Sequence, residues 1–228
     1  MPVIRELLAR AATSVFRTLA PVRYKQRMEL AYWRGRVEHE GRLRGPHYEF
    51  FYTDFFGLDR GFYAGKRVLD IGCGPRGSLE WLAAEAECTG LDPLVPQYRA
   101  LGIDQHRMTY VHAGAERIPF PDGHFQVVTT FNNLDHVDDV AKAIAEMKRV
   151  TSPDGTLLLI TEVEHEASPT EPQTLPTTIA HQFEPEFAIQ SQGLCAIRDD
   201  HNVYQSLRDQ APYRAGTEGI VFARFTRN

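Results

Sequence analysis

Between residues 67 and 161 the chain alternates short apolar runs with loops and amphipathic stretches. Val68-Leu69-Asp70-Ile71, Cys88–Leu94, Met108–Ala113, Phe125–Phe131 and Thr156–Thr161 are bounded by glycine, proline and charged residues, and each reads as a strand. Ser78–Ala84 and the stripe Val140, Ile144, Met147, Val150 read as helices between them. Strands alternating with helices call for a parallel sheet covered on both faces. Leu194–Arg198 and Gly219–Phe225 read as two late strands, joined through Ser206–Asp209 and a turn at Gly216. Upstream, apolar residues at 3, 4, 7, 8, 11, 15 and 19 lie on one face of a helix that Pro21 ends, and 23–40 reads as a second helix. The aromatic-dense segment 47–56 predicts a short helix packed on the sheet. Prolines at 169, 172, 176 and 185 make 162–193 an irregular insertion. The expected organisation is an α-helical extension over 1–60 and an α/β domain over 61–228.

The first strand runs into Asp70-Ile71-Gly72-Cys73-Gly74-Pro75-Arg76-Gly77. Gly72 and Gly74 allow a tight turn and close approach of backbone to a ligand, because no Cβ intervenes. Ser78 is a candidate cap for the following helix, whose free N–H groups would face that ligand. Asp92 ends the second strand, where a carboxylate can accept two ribose hydroxyls at once. On spacing alone, Gly72-x-Gly74-x-x-Gly77 also fits the dinucleotide fingerprint of nicotinamide oxidoreductases, so Asp70 has to break the tie.

Composition narrows the setting. Hydrophobic residues make up 43% of the 228, enough for a full core. No apolar run approaches the length of a membrane span. The three cysteines, Cys73, Cys88 and Cys195, form no paired motif, which suits a reducing, cytoplasmic setting. The net charge of −5 is uneven: residues 1–45 carry ten Arg/Lys against four Asp/Glu, the remainder fifteen against twenty-six. A basic arm on an acidic body can be a solvated face, or can meet an anionic substrate, partner or membrane surface through residues 1–20.

Asp-x-Gly-x-Gly after a hydrophobic strand resembles motif I of the class I S-adenosylmethionine-dependent methyltransferases. Leu91-Asp92-Pro93-Leu94 looks like their ribose-acid segment, Ala115–Val128 is similar to the loop and fourth strand of their small-molecule branch, and Thr151–Glu162 resembles the approach to strand five. The resemblance implies a seven-stranded, mostly parallel sheet with helices on both faces and an antiparallel last strand. It implies S-adenosylmethionine at Asp70, Gly72, Cys73, Gly74, Asp92, Pro93, Ala115, Glu116 and Asn132. Asp70 would work from below through backbone N–H groups of the glycine loop, and Asn132 through its backbone. Many relatives carry an acid for the adenine amine where this chain has Gly114, so that contact falls to the backbone of Ala115 and Glu116 or to the Glu116 side chain.

The expected activity is methyl transfer to oxygen or nitrogen of a small molecule: a sugar, lipid or secondary metabolite. His136, just past strand four, is the first candidate base, because an imidazole titrates near working pH. His165 and Glu162 are the second choices. Tyr48, Tyr52 and His181 are candidates for substrate contact. The spacing of Glu162, His165, His181 and His136 matches no tight metal motif, so no metal is expected. The alternatives are a nucleic-acid methyltransferase, which the absence of an Asn/Asp-Pro-Pro-Tyr motif after strand four argues against, and a non-catalytic module that keeps the cofactor pocket. An apolar first helix makes a homodimer plausible.

Overall fold

The computed structural model describes residues 21–228; the expected helix over 3–19 lies outside them. The sheet has seven strands: β1 (Arg67–Ile71), β2 (Glu87–Leu91), β3 (Thr109–Val111), β4 (Phe125–Phe131), β5 (Thr151–Val163), β6 (Phe187–Ala196) and β7 (Gly219–Arg227). Their order is β3-β2-β1-β4-β5-β7-β6. β1 pairs parallel with β2 on one side and with β4 on the other, while β7 lies antiparallel between β5 and β6. The chain therefore runs outward from β1 to β3 and crosses back to β4 on the other side of β1, so the carboxyl ends of β1, β2 and β4 open on one crevice, the place where open α/β sheets bind ligands.

Alternation along the strands divides the core. Leu69 and Ile71 of β1 and Leu157 and Leu159 of β5 face one apolar cluster, and Val68, Leu158 and Ile160 face the other. The helices are α1 (Pro21–Glu40), α2 (Glu49–Tyr52), α3 (Arg60–Tyr63), α4 (Val95–Tyr98), α5 (Val140–Val150) and α6 (Val203–Asp209). The first face is covered by Ala143, Ile144, Met147 and Val150 of α5. Asp139 starts that helix by accepting the Lys142 N–H at 3.0 Å. The second face is covered by Phe51, Tyr52 and Phe56 of the aromatic segment and by Val203 and Leu207 of α6. Each such side chain contributes roughly 1.5–3 kcal/mol through burial. Among the described residues no helix is long and apolar enough to cross a membrane.

Several expectations need correction. Ser78–Ala84 is not an α-helix; it holds one 3-10 turn, Glu80–Leu82, and Ser78 caps nothing. Pro21 is the first residue of α1, which therefore begins two residues before the expected 23. β5 begins at Thr151, so Pro153-Asp154-Gly155 falls inside the strand, with Asp154 at φ 56°. β6 begins at Phe187, which shortens the irregular insertion to 164–186. Leu175, Ile179, Ala180 and Phe183 of that insertion are buried in the first cluster, while its earlier part, through Glu171, reaches the cavity described below.

Candidate active site

The crevice is built on two carboxylates at adjacent strand ends. Asp70, at 2% exposure, accepts hydrogen bonds from Tyr52 Oη at 3.0 Å, Thr129 Oγ1 at 2.7 Å and Ser78 Oγ. Burial pushes its carboxyl up to about 6, and the three hydroxyls pull the other way. The expectation that Asp70 holds the N–H groups of the glycine loop is thus wrong; it ties the loop through Ser78 and the aromatic segment through Tyr52. Asp92 performs the backbone role. Its Oδ2 accepts the Gly74 N–H at 3.2 Å, and its Oδ1 accepts the Leu94 N–H at 2.8 Å. Burial pushes Asp92 up to about 7 against those two donors.

Gly72 and Gly74 adopt φ 72° and 56°, which L side chains rarely reach. A Cβ at Gly72 would stand 2.3 Å from the Asn133 side chain, and one at Gly74 would stand 3.2 Å from the Trp33 ring. The glycines therefore keep open the floor of a cavity of about 1390 Å³. Asp70, Cys73, Asp92, Pro93, Ala115, Glu116 and Asn132 all line it, as expected. Glu116 is committed elsewhere: its Oε1 accepts the N–H groups of Asp138 and Asp139, at 2.8 and 3.4 Å. That leaves backbone at Ala115 and Glu116 for recognition. Asn132 sits at φ 50°, donates its N–H to the Ile160 carbonyl at 2.7 Å, and has a buried, unpartnered Oδ1. Its backbone N–H is therefore not free for a ligand.

α1 passes over the crevice. Leu30 and Trp33 pack with Leu94 and Tyr98, and the Trp33 indole donates to Glu29 at 2.7 Å. The end of α1 is tied by a two-pronged contact from Arg76 to Glu40, both bonds 2.7 Å. That guanidinium holds the Glu40 carboxyl down at about 2. Trp33, Asn133 and Arg76 had not been expected at the site. The signal in the sequence was the Gly-x-Gly turn itself, which demands a covering partner without naming it.

The rest of the cavity is aromatic. Tyr48, Phe51, Tyr52 and Tyr204 line it, with Tyr48 and Tyr204 rings 5.2 Å apart. Tyr48 is placed as expected, and burial pushes its phenol up to about 12. Tyr52 reaches the wall, but its hydroxyl is spent on Asp70. Tyr204 and Arg208 arrive from α6, in a stretch read as a connection. His136 is also on the wall; its Nε2 lies 3.8 Å from Asp135 Oδ2 and 4.0 Å from Glu171 Oε1. His165 and Glu162 line a neighbouring cavity of about 350 Å³, which shares Asn132, Glu171 and His201 with the first. Burial, with Asp135 close by, pushes Glu162 up to about 8. His165, paired with Asp135 at 3.6 Å, is raised to about 9. His181 lines neither cavity: it is exposed and pairs with Glu184 at 2.9 Å, so its expected substrate role is withdrawn.

Residues 69–159 match the family described as "Methyltransferase domain". Tocopherol O-methyltransferase of Arabidopsis thaliana is 36% identical over 104 residues, 42% of this chain and 30% of that protein. Ajmaline N-methyltransferase of Rauvolfia serpentina is 28% identical over 120 residues, 49% of this chain and 41% of that one. The chain thus spans about a third of the length of the curated relatives it matches. Geranyl diphosphate C-methyltransferase from Streptomyces coelicolor A3(2) superposes with a TM-score of 0.56, covering 80% of this chain and 77% of that one at 17% identity. At that identity the likeness bears on the fold.

Proposed function

We propose that this chain, which belongs to the class I S-adenosylmethionine-dependent methyltransferases, transfers a methyl group to an oxygen or nitrogen of a small molecule such as a sugar, lipid or secondary metabolite. The observation that carries the reading is the continuity of one cavity. It runs from the glycine floor and Asp92 to the aromatic wall with His136. At about 1390 Å³ it exceeds the roughly 300–1,000 Å³ of a single-ligand pocket. A cofactor and an acceptor fit side by side.

The residues present suit the cofactor. Gly72 and Gly74 line the cavity with bare backbone, and Asn132 leaves a buried acceptor oxygen without a partner among the described residues. Asp92 would hold the ribose, with Ala115 and Glu116 offering backbone to the adenine. Once bound, S-adenosylmethionine supplies a methyl group activated on a sulfonium, for in-line displacement. The protein's part is positioning. Tyr48, Phe51 and Tyr204 form an aromatic wall that would orient the acceptor, and fixed orientation supplies up to about 7–11 kcal/mol of the barrier. His136 Nε2 faces the cavity and would take the proton that an acceptor hydroxyl gives up, with Asp135 and Glu171 near enough to stabilise the imidazolium. The named relatives support the small-molecule class by the acceptors in their names, tocopherol and norajmaline-type alkaloids among them.

Calorimetry on the full chain with S-adenosylmethionine and with its demethylated product tests the first half. One saturable site is expected, and Asp92→Ala should weaken it at least about tenfold, the scale of losing one charge-assisted hydrogen bond or more. Absence of binding to either would overturn the reading. His136→Ala should lower turnover and leave cofactor affinity in place; unchanged turnover removes it as the base.

A further inference from the structure

Where the two cavities meet, a group of polar atoms is gathered without hydrogen bonds between them. Asp135, His136 and Glu171 each offer one ligand-type atom, all within 4.8 Å of one another. Asp135 is fully buried, yet its Oδ2 has no hydrogen-bond partner among the described residues. Two imidazoles approach that oxygen, His136 Nε2 at 3.8 Å and His165 Nε2 at 3.6 Å. His165 lies outside the set of three and is itself buried, with Nε2 unpartnered. Buried polar atoms left unpaired cost free energy, so an explanation is required.

The separations are informative. Hydrogen bonds would draw these atoms to roughly 2.7–3.2 Å. Ligands about 2.1 Å from a common ion stand roughly 3.4 Å apart in a tetrahedral arrangement. The observed 3.6, 3.8 and 4.0 Å lie beyond the first range and close to the second. The surroundings fix the donors as well. Thr161 Oγ1 donates to the other Asp135 oxygen at 3.4 Å, which leaves Oδ2 pointing at the imidazoles. His165 Nδ1 lies 3.1 Å from the Glu166 carbonyl, which can only accept, so Nδ1 carries a proton and Nε2 is the atom turned to Asp135. Glu162 lines the adjoining cavity and adds acid to the same neighbourhood, while Lys25 Nζ is turned to the His136 carbonyl and Asp138 rather than to this set.

We infer that Asp135, His136 and Glu171 form a binding site for a divalent first-row transition ion of the zinc or manganese class, with His165 beside Asp135 rather than on the ion. Mixed imidazole and carboxylate donors suit those ions better than magnesium or calcium, which favour oxygen alone. Cysteine is missing from the set, so a sealed thiolate site of the structural kind is not what is built. His136 and Glu171 also line the large cavity, so remaining positions on the ion would open toward the acceptor end; His136 Nε2 cannot hold the ion and take the acceptor's proton at once, so its role as base belongs to the metal-free chain. That last step rests on the proposed methyl transfer; the site itself does not.

The test is titration of the chelator-treated full chain with zinc chloride by calorimetry, alongside manganese titration followed by electron paramagnetic resonance. One equivalent is expected. His136→Ala and Glu171→Gln, both at partly exposed positions, should each weaken binding by about tenfold or more. His181→Ala, which removes an exposed histidine elsewhere, should leave it unchanged. Absence of saturable binding, or binding that both variants retain at full strength, overturns the site. S-adenosylmethionine binding measured in chelator reports separately on the proposed function, so failure of one does not mask failure of the other.

Discussion

Asp70 and Gly72 are two residues apart and are irreplaceable for different reasons. Asp70 is the shared acceptor for three hydroxyls from three segments: Tyr52, Ser78 and Thr129. Asp70→Ala leaves all three without their acceptor in a dry interior, and a loss of about 3 kcal/mol is expected, at roughly 1 kcal/mol each. Asp70→Asn keeps an acceptor oxygen and should lose less. Urea midpoints of the two variants check the order, and equal losses would show that the hydroxyls find other partners. At Gly72 the constraint is backbone and space together: φ 72° and a neighbour at 2.3 Å. Gly65 supplies the control, with φ 71° and nothing within 4 Å. Gly65→Ala should cost about 1 kcal/mol from conformation alone. Gly72→Ala should cost at least about 1 kcal/mol more through the displaced Asn133, with lost cofactor affinity. Identical denaturation midpoints for the two would refute the role assigned to Asn133.

Elements carry the covering of the site, and here α1 matters most. Trp33 closes over Gly74, and the Arg76–Glu40 pair anchors the helix end to the glycine loop. Trp33→Ala should remove about 2 kcal/mol, below the 3–5 of a fully buried tryptophan because the ring is half-exposed. Amide exchange over residues 21–40 should quicken, and cofactor should dissociate faster; unchanged exchange would mean that α1 is held by Arg76 alone. The sequence disclosed this helix but not its partner. Its charged residues are spread around it, so no apolar stripe marked the face that packs. β4 was legible to the residue because one apolar run, Phe125–Phe131, stands between turn signals. Ser78–Ala84 misled for the converse reason. Ser78 is drawn to Asp70 instead of capping, whereas Asn202 caps the equally short α6 by accepting the Gln205 N–H, and only a 3-10 turn is left at Glu80–Leu82. The cofactor floor was legible as local sequence: Asp70, Gly72, Gly74 and Asp92 act at strand ends. The acceptor wall was not, because Tyr204 and Arg208 come from α6, far along the chain, and are brought in only by the antiparallel end of the sheet.

At the scale of the whole molecule, the buried ionisable groups make stability depend on pH in a direction that can be worked out. Burial raises Asp92 to about 7 and Glu162 to about 8, and Asp135 raises His165 to about 9. Each binds a proton in the folded chain at a pH where the unfolded chain has released it. Folded stability is therefore lost as pH rises through those values. Groups shifted the other way do not cancel this above about pH 6.5. Glu40, held at about 2 by Arg76, is ionised in both states there, and His47, His106 and His124, lowered by burial, oppose the fall by at most about half a proton each, which the unfolded chain releases as pH rises further. Without cofactor, the melting temperature of the full chain should fall from pH 6.5 to 8.5. Asp92→Asn, which keeps the volume and cannot ionise, should flatten the lower part of that fall. S-adenosylmethionine should act similarly, since ribose hydroxyls would donate to the ionised carboxylate and offset its burial. At a hundredfold excess over its Kd it should add about 2.7 kcal/mol, with the larger shift at the higher pH. Thermal scans of both proteins with and without cofactor decide it. A melting temperature that rises over this range, or a slope that Asp92→Asn and cofactor both leave unchanged, would mean that Asp92 is not the group through which the crevice holds its proton.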